Sequence, residues 1–250
     1  MALKQQNLIY GIHAVSSALR SRPQQVRELW IEQSRQDERT RLLLETAQAR
    51  NIVVHLVKAK TLDRMLDHAA HQGVVAHCRQ APMLQDKQLE AALQQQTSPF
   101  YLVLDGVKDP HNLGACLRTG DAAGVDGVIV PRDRAVGVTP AVRKVASGAA
   151  ETVPLYQVAN LARAMEKMKA GGVWLIGLAG EAAQSLYQAD LRGPLALVLG
   201  AEQKGLRRLT RDKCDLLVSL PMAGEVESLN VSVAAGICLY EALRQRKHIV

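Results

Sequence analysis

Two hydrophobic rhythms divide this chain. In the first 80 residues, short segments of helical and strand character alternate. Gly11–Arg20 sets Ile12, Val15 and Leu19 at helical spacing, and Asp37–Arg50 puts Leu42, Leu43 and Ala47 on one side. Thr61–Asp67 predicts a further short helix with Thr61 as its cap. Between these lie Arg27–Glu32, Ile52–Val57 and Val74–Cys78, whose β-branched and apolar residues predict strands. Such a run predicts a small α/β sandwich. Residues 81–98 change character: Pro82 and Pro99 bracket the polar stretch Gln94-Gln95-Gln96-Thr97-Ser98, which reads as a linker with one short helix. From Phe100 onward the apolar runs become nearly continuous, at Tyr101–Leu104, Val128–Val130, Val173–Leu178, Leu195–Leu199 and Leu216–Leu220. Runs of that kind predict strands covered on both faces, as in a parallel sheet. Ser228–Arg246 predicts a long helix with Leu229, Val233, Ile237, Tyr240 and Leu243 on one stripe.

Composition narrows the class. With 250 residues, 48% of them hydrophobic and 22% charged, the chain is long enough for a small and a medium domain and is not of disordered type. No apolar run reaches the length of a bilayer span, and Met1–Asn7 lacks the apolar core of a secretory leader, so a cytoplasmic protein without a membrane partner is expected. The net charge of +7 is uneven: residues 1–80 hold 12 Lys and Arg against 7 Asp and Glu, while residues 99–250 hold 18 against 15. A basic balance concentrated in the smaller part favours a polyanionic partner there. Aromatic residues make up only 3%, so contacts to phosphate and shape are expected to outweigh base stacking. The cysteines, Cys78, Cys116, Cys214 and Cys238, form no C-x-x-C and read as reduced. His68, His71, His77 and Cys78 fit no zinc spacing, so no metal site is expected.

A parallel α/β domain invites a nucleotide reading, yet no two glycines are spaced G-x-G, which excludes the dinucleotide fingerprint. The run Gly200-Ala201-Glu202-Gln203-Lys204-Gly205 has P-loop glycine spacing but lacks the following Lys-Ser/Thr and carries a repelling Glu202. Three other segments carry the chemistry. Leu104-Asp105-Gly106-Val107-Lys108-Asp109-Pro110-His111-Asn112-Leu113-Gly114 follows a buried strand and opens a helix, with Asn112 at the expected N-cap and Arg118 further along it. Leu199-Gly200-Ala201-Glu202 ends a strand on glycine, where a ligand has room to approach the backbone. Leu220-Pro221-Met222, then Ser228-Leu229-Asn230-Val231-Ser232, crowds a helix start with more polar residues than capping needs.

In this order the three segments resemble the three signature motifs of the SpoU branch of the SPOUT methyltransferases, over residues 100–247. The N-terminal part, with Tyr10-Gly11-Ile12-His13-Ala14-Val15, resembles that family's L30e-like substrate-binding domain. The resemblance implies residues 1–80 as an RNA-binding domain, 81–98 as a linker and 99–250 as a SPOUT domain whose parallel sheet ends in a deep trefoil knot, one of the rare exceptions to unknotted topology. It implies S-adenosyl-L-methionine (AdoMet) as methyl donor, held by backbone at Gly200, Leu220 and Leu229. It implies Arg118, Asn112, Glu202, Ser228 and Asn230 as catalytic residues, and a homodimer. The implied reaction is 2′-O-methylation of a guanosine in 23S ribosomal RNA, free or in a precursor of the large subunit. A tRNA ribose methyltransferase and a non-catalytic RNA-binding protein on the same scaffold are the alternatives. Chemistry adds one condition. The family role of Arg118 is to take the 2′-hydroxyl proton, but an arginine pKa above ~12 makes a neutral guanidinium costly. Clamping a phosphate and aligning the hydroxyl is the other way for Arg118 to act.

Overall fold

The computed structural model describes residues 8–35, 37–66, 70–79, 83–133, 135–201 and 204–247. These fall into two compact units, one from residues 1–82 with 138–152, the other from 83–137 with 153–250.

The first unit contains β1 (Leu8–Tyr10), α1 (Ile12–Ser21), β2 (Val26–Glu32), α2 (Glu38–Gln48), β3 (Val53–Val57), α3 (Ala59–Met65) and β4 (Val74–Cys78). Its sheet has the order β1-β4-β2-β3, with β2 and β3 parallel and β4 antiparallel to β1 and β2. One face packs on α1 and α2 through Ile12, Val15, Leu19, Leu29, Leu43 and Ala47. The other face packs on α3, with Leu62 and Leu66 against Leu8, Trp30 and Val75. Leu42 does not join the core and is half exposed, because Thr40, Leu43 and Ala47 form the i, i+3, i+7 row that faces the sheet. Two expectations change. Three residues are too few to show a strand pattern, so β1 escaped the sequence. Thr61 does not cap α3, which starts two residues earlier after the extended Lys58.

The later stretch 138–152 also belongs to this unit. It forms α6 (Pro140–Ala146), capped by Thr139, and α7 (Ala149–Thr152). Between them Gly148 has a φ of +104°, and a Cβ there would lie 2.6 Å from Ser17 Cβ on α1. Ser17 Oγ donates to the Gly148 carbonyl at 3.1 Å. The buried Arg143 and Glu151 pair at 3.5 Å, and burial together with the Glu151 charge pushes the neighbouring Cys78 thiol up to about 12.

The second unit holds a six-stranded sheet: β5 (Phe100–Asp105), β6 (Gly127–Pro131), β7 (Leu155–Val158), β8 (Trp174–Leu178), β9 (Leu195–Gly200) and β10 (Leu216–Val218). The order is β10-β8-β9-β5-β6-β7 and every neighbouring pair is parallel. All residues of β5 and β6 are buried, as their unbroken apolar runs require. The edge strand β7, interrupted by Gln157, was not visible as such a run. The helices are α4 (Asp86–Gln95), α5 (Pro110–Ala123), α8 (Leu161–Ala170), α9 (Arg208–Lys213) and α10 (Val231–Arg246). The face of α10 that is buried is not the stripe of large residues: Ala234, Ala235, Cys238, Leu239 and Ala242 are buried, whereas Val233 and Tyr240 are each 51% exposed. Alanines permit the close approach of α10 to α5, and the helix is apolar enough all round that periodicity alone does not select its inner side. No helix among the described residues is long and apolar enough to cross a membrane.

Candidate active site

Strands β5 and β9 lie side by side with Asp105 in register with Gly200. From β5 the chain goes to β6 on one side, while β9 lies on the other, so the crevice beyond their C-terminal ends is where an open α/β sheet receives ligands. Both strand ends carry signature residues, and the loop before α10 closes over them.

The first segment turns after β5 and enters α5 with Asp109, not Asn112, as the N-cap: Asp109 Oδ1 accepts from His111 N at 2.8 Å and Pro110 occupies the first turn. Proline suits that position because its missing N–H has no helical partner there and its φ is preset. Asn112 is thereby moved into the helix, where it is buried. Its Oδ1 accepts from Asn230 Nδ2 at 3.0 Å. Asn230 in turn caps α10, its Oδ1 accepting from Ser232 N at 2.9 Å and Ser232 Oγ at 2.6 Å. One side chain therefore starts the last helix and ties the first segment to the third across 118 positions.

The second segment depends on glycine. A Cβ on Gly200 would fall 2.0–2.3 Å from backbone atoms of Gly205 and Leu206, so only glycine lets those two residues come back against the end of β9. Asp105 stands beside it with its side chain wholly buried, accepting from Arg207 N at 3.0 Å and from Arg207 Nε at 2.5 Å.

Two hollows share the wall formed by Ala201, Lys204, Gly205 and Val231. The first, about 240 Å³, is lined by Gly200, Leu220, Ser228 and Leu229, with Leu178 and Leu206. The second, about 410 Å³, is lined by the turn Asp105–Asp109 together with Asn112 and Arg207. The first hollow suits AdoMet. Its leucines offer an apolar slot to a flat ring, and residues 220–229 run outside helix and strand, leaving backbone donors and acceptors beyond the sheet ladder. Glu227 and Glu181 lie on its wall, Glu181 in an ion pair with Arg211 of the same wall. The Glu181 carboxyl is held below the usual range by its own backbone N–H and by hydrogen bonding from Arg211.

Of the residues singled out in the sequence, Gly200, Leu220, Leu229 and Ser228 come together at the first hollow. Asn112 lines the second, with Asn230 bonded to it. Arg118 lines neither. It is exposed on α5, six positions after Asn112 and so about 240° round the helix. Glu202 and His68 lie outside the described residues. His71 and His77 are engaged separately, His71 with Asp63 at 3.0 Å and His77 near Glu28 at 4.0 Å, and among the described residues no group of three or more His, Cys, Asp or Glu is placed to hold a metal ion. The sequence reading missed Asp105, Lys204 and Arg207. An acid closing an apolar strand was a signal, since a buried carboxylate needs a cation, but its partner lies 102 positions away.

Residues 99–240 match the SpoU rRNA Methylase family, and residues 8–84 match the RNA 2′-O ribose methyltransferase substrate-binding family. The chain is 55% identical to the 23S rRNA (guanosine-2′-O-)-methyltransferase RlmB of Shewanella oneidensis, covering 98% of this chain and 100% of that protein. Its structure is similar to that of the SpoU methyltransferase AviRb from Streptomyces viridochromogenes, with a TM-score of 0.81, 26% identity, 96% of this chain and 90% of that one covered. The same enzyme in complex with the cofactor AdoMet gives a TM-score of 0.79 at 26% identity, with the same coverage. Given a match that takes in more than half of its residues and likeness of this extent to a full-length relative, this chain belongs to the SpoU rRNA methylase family.

Proposed function

We propose that this protein transfers the methyl group of AdoMet to the 2′-hydroxyl of a guanosine ribose in 23S ribosomal RNA. The observation that supports the reading is the wall shared by the Gly200 hollow and the Asn112 hollow, an arrangement that suits a donor in the one and the accepting ribose in the other. Likeness to a 23S enzyme over the full length, substrate-binding region included, favours this over a tRNA substrate. A donor site able to hold AdoMet favours an enzyme over a silent RNA-binding protein.

AdoMet supplies a methyl group already activated on a sulfonium, so the reaction requires no Lewis acid. Backbone at Gly200, Leu220 and Leu229 holds the donor. Asn112, Glu202, Ser228 and Asn230 orient the ribose and the donor, and Arg118 acts on the hydroxyl or its neighbouring phosphate. The first unit delivers RNA specificity as an L30e-like domain, and the second forms the methyltransferase domain with a trefoil knot. We place the protein in the cytoplasm, where ribosomal RNA or a precursor of the large subunit is its partner.

The site is completed in a homodimer. Two features support this: the exposed Val233 and Tyr240 on α10 form an apolar face left uncovered among the described residues, and Arg118 on the adjoining α5 lines neither hollow of its own protomer. Sedimentation is expected to show a dimer at micromolar concentration; a stable monomer there contradicts it. The reaction itself is tested by mapping 2′-O-methyl groups in ribosomal RNA from cells lacking this protein. One guanosine of 23S RNA is expected to lose its methyl group. A complete set of 23S modifications, or a loss confined to tRNA, rejects the reading.

A further inference from the structure

We propose that Arg207, oriented by Asp105, binds the RNA phosphate next to the ribose that is methylated; the assignment rests on the function proposed above. Asp105 closes β5 with its side chain wholly buried, and a carboxylate in that position must be paired. Arg207 pairs it through its backbone N–H and through the Nε–Nη2 edge of the guanidinium. That edge is occupied, and Nη1 is left outside the pair. A guanidinium gripped along one edge has lost much of its rotamer freedom, so its remaining donors are presented in a fixed direction.

The place of Arg207 gives this rigidity a use. Its side chain is 41% exposed and forms part of the hollow that holds Asn112. It also forms part of a third hollow, about 580 Å³, with Arg208, Asn160 and Thr210, beyond the ends of β6 and β7. Arg207 thus stands between two hollows along the C-terminal edge of one sheet. A ribose in the Asn112 hollow has a phosphate on each side, one of which falls at the boundary where Arg207 stands. Arg208 is exposed on the same rim and adds a second positive charge, while Asp133 on the wall of the third hollow keeps an anion to the arginine side. Charge-assisted bonds from a pre-oriented guanidinium to phosphate are among the stronger polar contacts available.

A purely structural latch between β5 and the start of α9 is the competing role, and salt dependence separates the two. Each phosphate neutralised on binding releases counterions, so losing one contact lowers the slope of log affinity against log salt by about 0.7–0.9. The full-length protein is titrated with a transcript of 23S ribosomal RNA over a salt series, and AdoMet affinity is measured in parallel. Arg207→Ala is expected to weaken RNA binding about tenfold or more at low salt, to reduce the slope by about one, and to keep AdoMet affinity within about threefold. Arg207→Lys retains the slope with part of the affinity. Asp105→Asn retains the slope as well, since the charge remains, but weakens RNA binding because the guanidinium is no longer held. If the alanine variant is insoluble, Arg207→Lys against Arg207→Gln makes the same comparison. An unchanged slope on removal of the charge, or equal losses of RNA and AdoMet affinity, overturns the assignment. A wild-type protein that transfers no methyl group to 23S RNA overturns the underlying function instead.

Discussion

Replacing Arg118 by alanine is expected to lower turnover by about a hundred- to a thousandfold and to leave AdoMet affinity within a few-fold. The magnitude follows from the ~2.7–4 kcal/mol that loss of one transition-state contact typically costs. The unchanged affinity follows from the structure, in which Arg118 lies outside the hollow lined by Gly200, Leu220 and Leu229. Because the side chain is exposed on α5, its removal leaves no cavity and no unpaired buried group, and thermal stability should hardly change. Arg118→Lys distinguishes two modes of action. If the residue offers only positive charge to a phosphate, lysine recovers part of the rate. If a planar fork must hold phosphate and hydroxyl together, lysine is nearly as poor as alanine. Single-turnover kinetics with saturating AdoMet measure both. A variant that binds AdoMet poorly but turns over normally at saturation would sink the catalytic assignment.

Gly200→Ala should fail in the opposite way, through the donor. The added methyl meets Gly205 and Leu206 backbone at 2.0–2.3 Å, and no side-chain rotation relieves a clash with backbone. The loop bearing Ala201, Lys204 and Gly205 must move, and with it the wall common to both hollows. Overpacking of this kind costs typically ~1–3 kcal/mol, which corresponds to roughly a 5- to 150-fold rise in the AdoMet dissociation constant. Calorimetric titration with AdoMet checks it, and wild-type affinity in the variant rejects the donor assignment. The two variants together also test the dimer. If Arg118 serves the partner's hollow, a mixture refolded from Arg118→Ala and Gly200→Ala chains contains mixed dimers with one intact site each. About a quarter of full activity then returns, from random pairing of two chains. If Arg118 acts within its own chain, every site in the mixture is defective and no activity returns.

Sequence alone was sufficient for whatever depends on neighbouring residues. Continuous apolar runs such as Leu195–Leu199 demand cover on both faces, so the parallel sheet was legible, with most of its strands to within two residues. The order of the three polar segments was legible too, and with it the family, because the chemistry of a turn such as Asp109-Pro110-His111-Asn112 is set locally. Tertiary structure decided the rest, because it rests on contacts between distant positions. Nothing local moves Asn112 from cap to helix interior, where Asn230 meets it, or seats Arg207 on Asp105. Nothing local shows that 138–152 packs with the N-terminal unit through Gly148 and Ser17. The faces of α5 and α10 follow the same reason. A helix apolar all round has no inner side until a neighbour is present, so only packing could bury the alanines, expose Val233 and Tyr240, and leave Arg118 outside both hollows of its own chain.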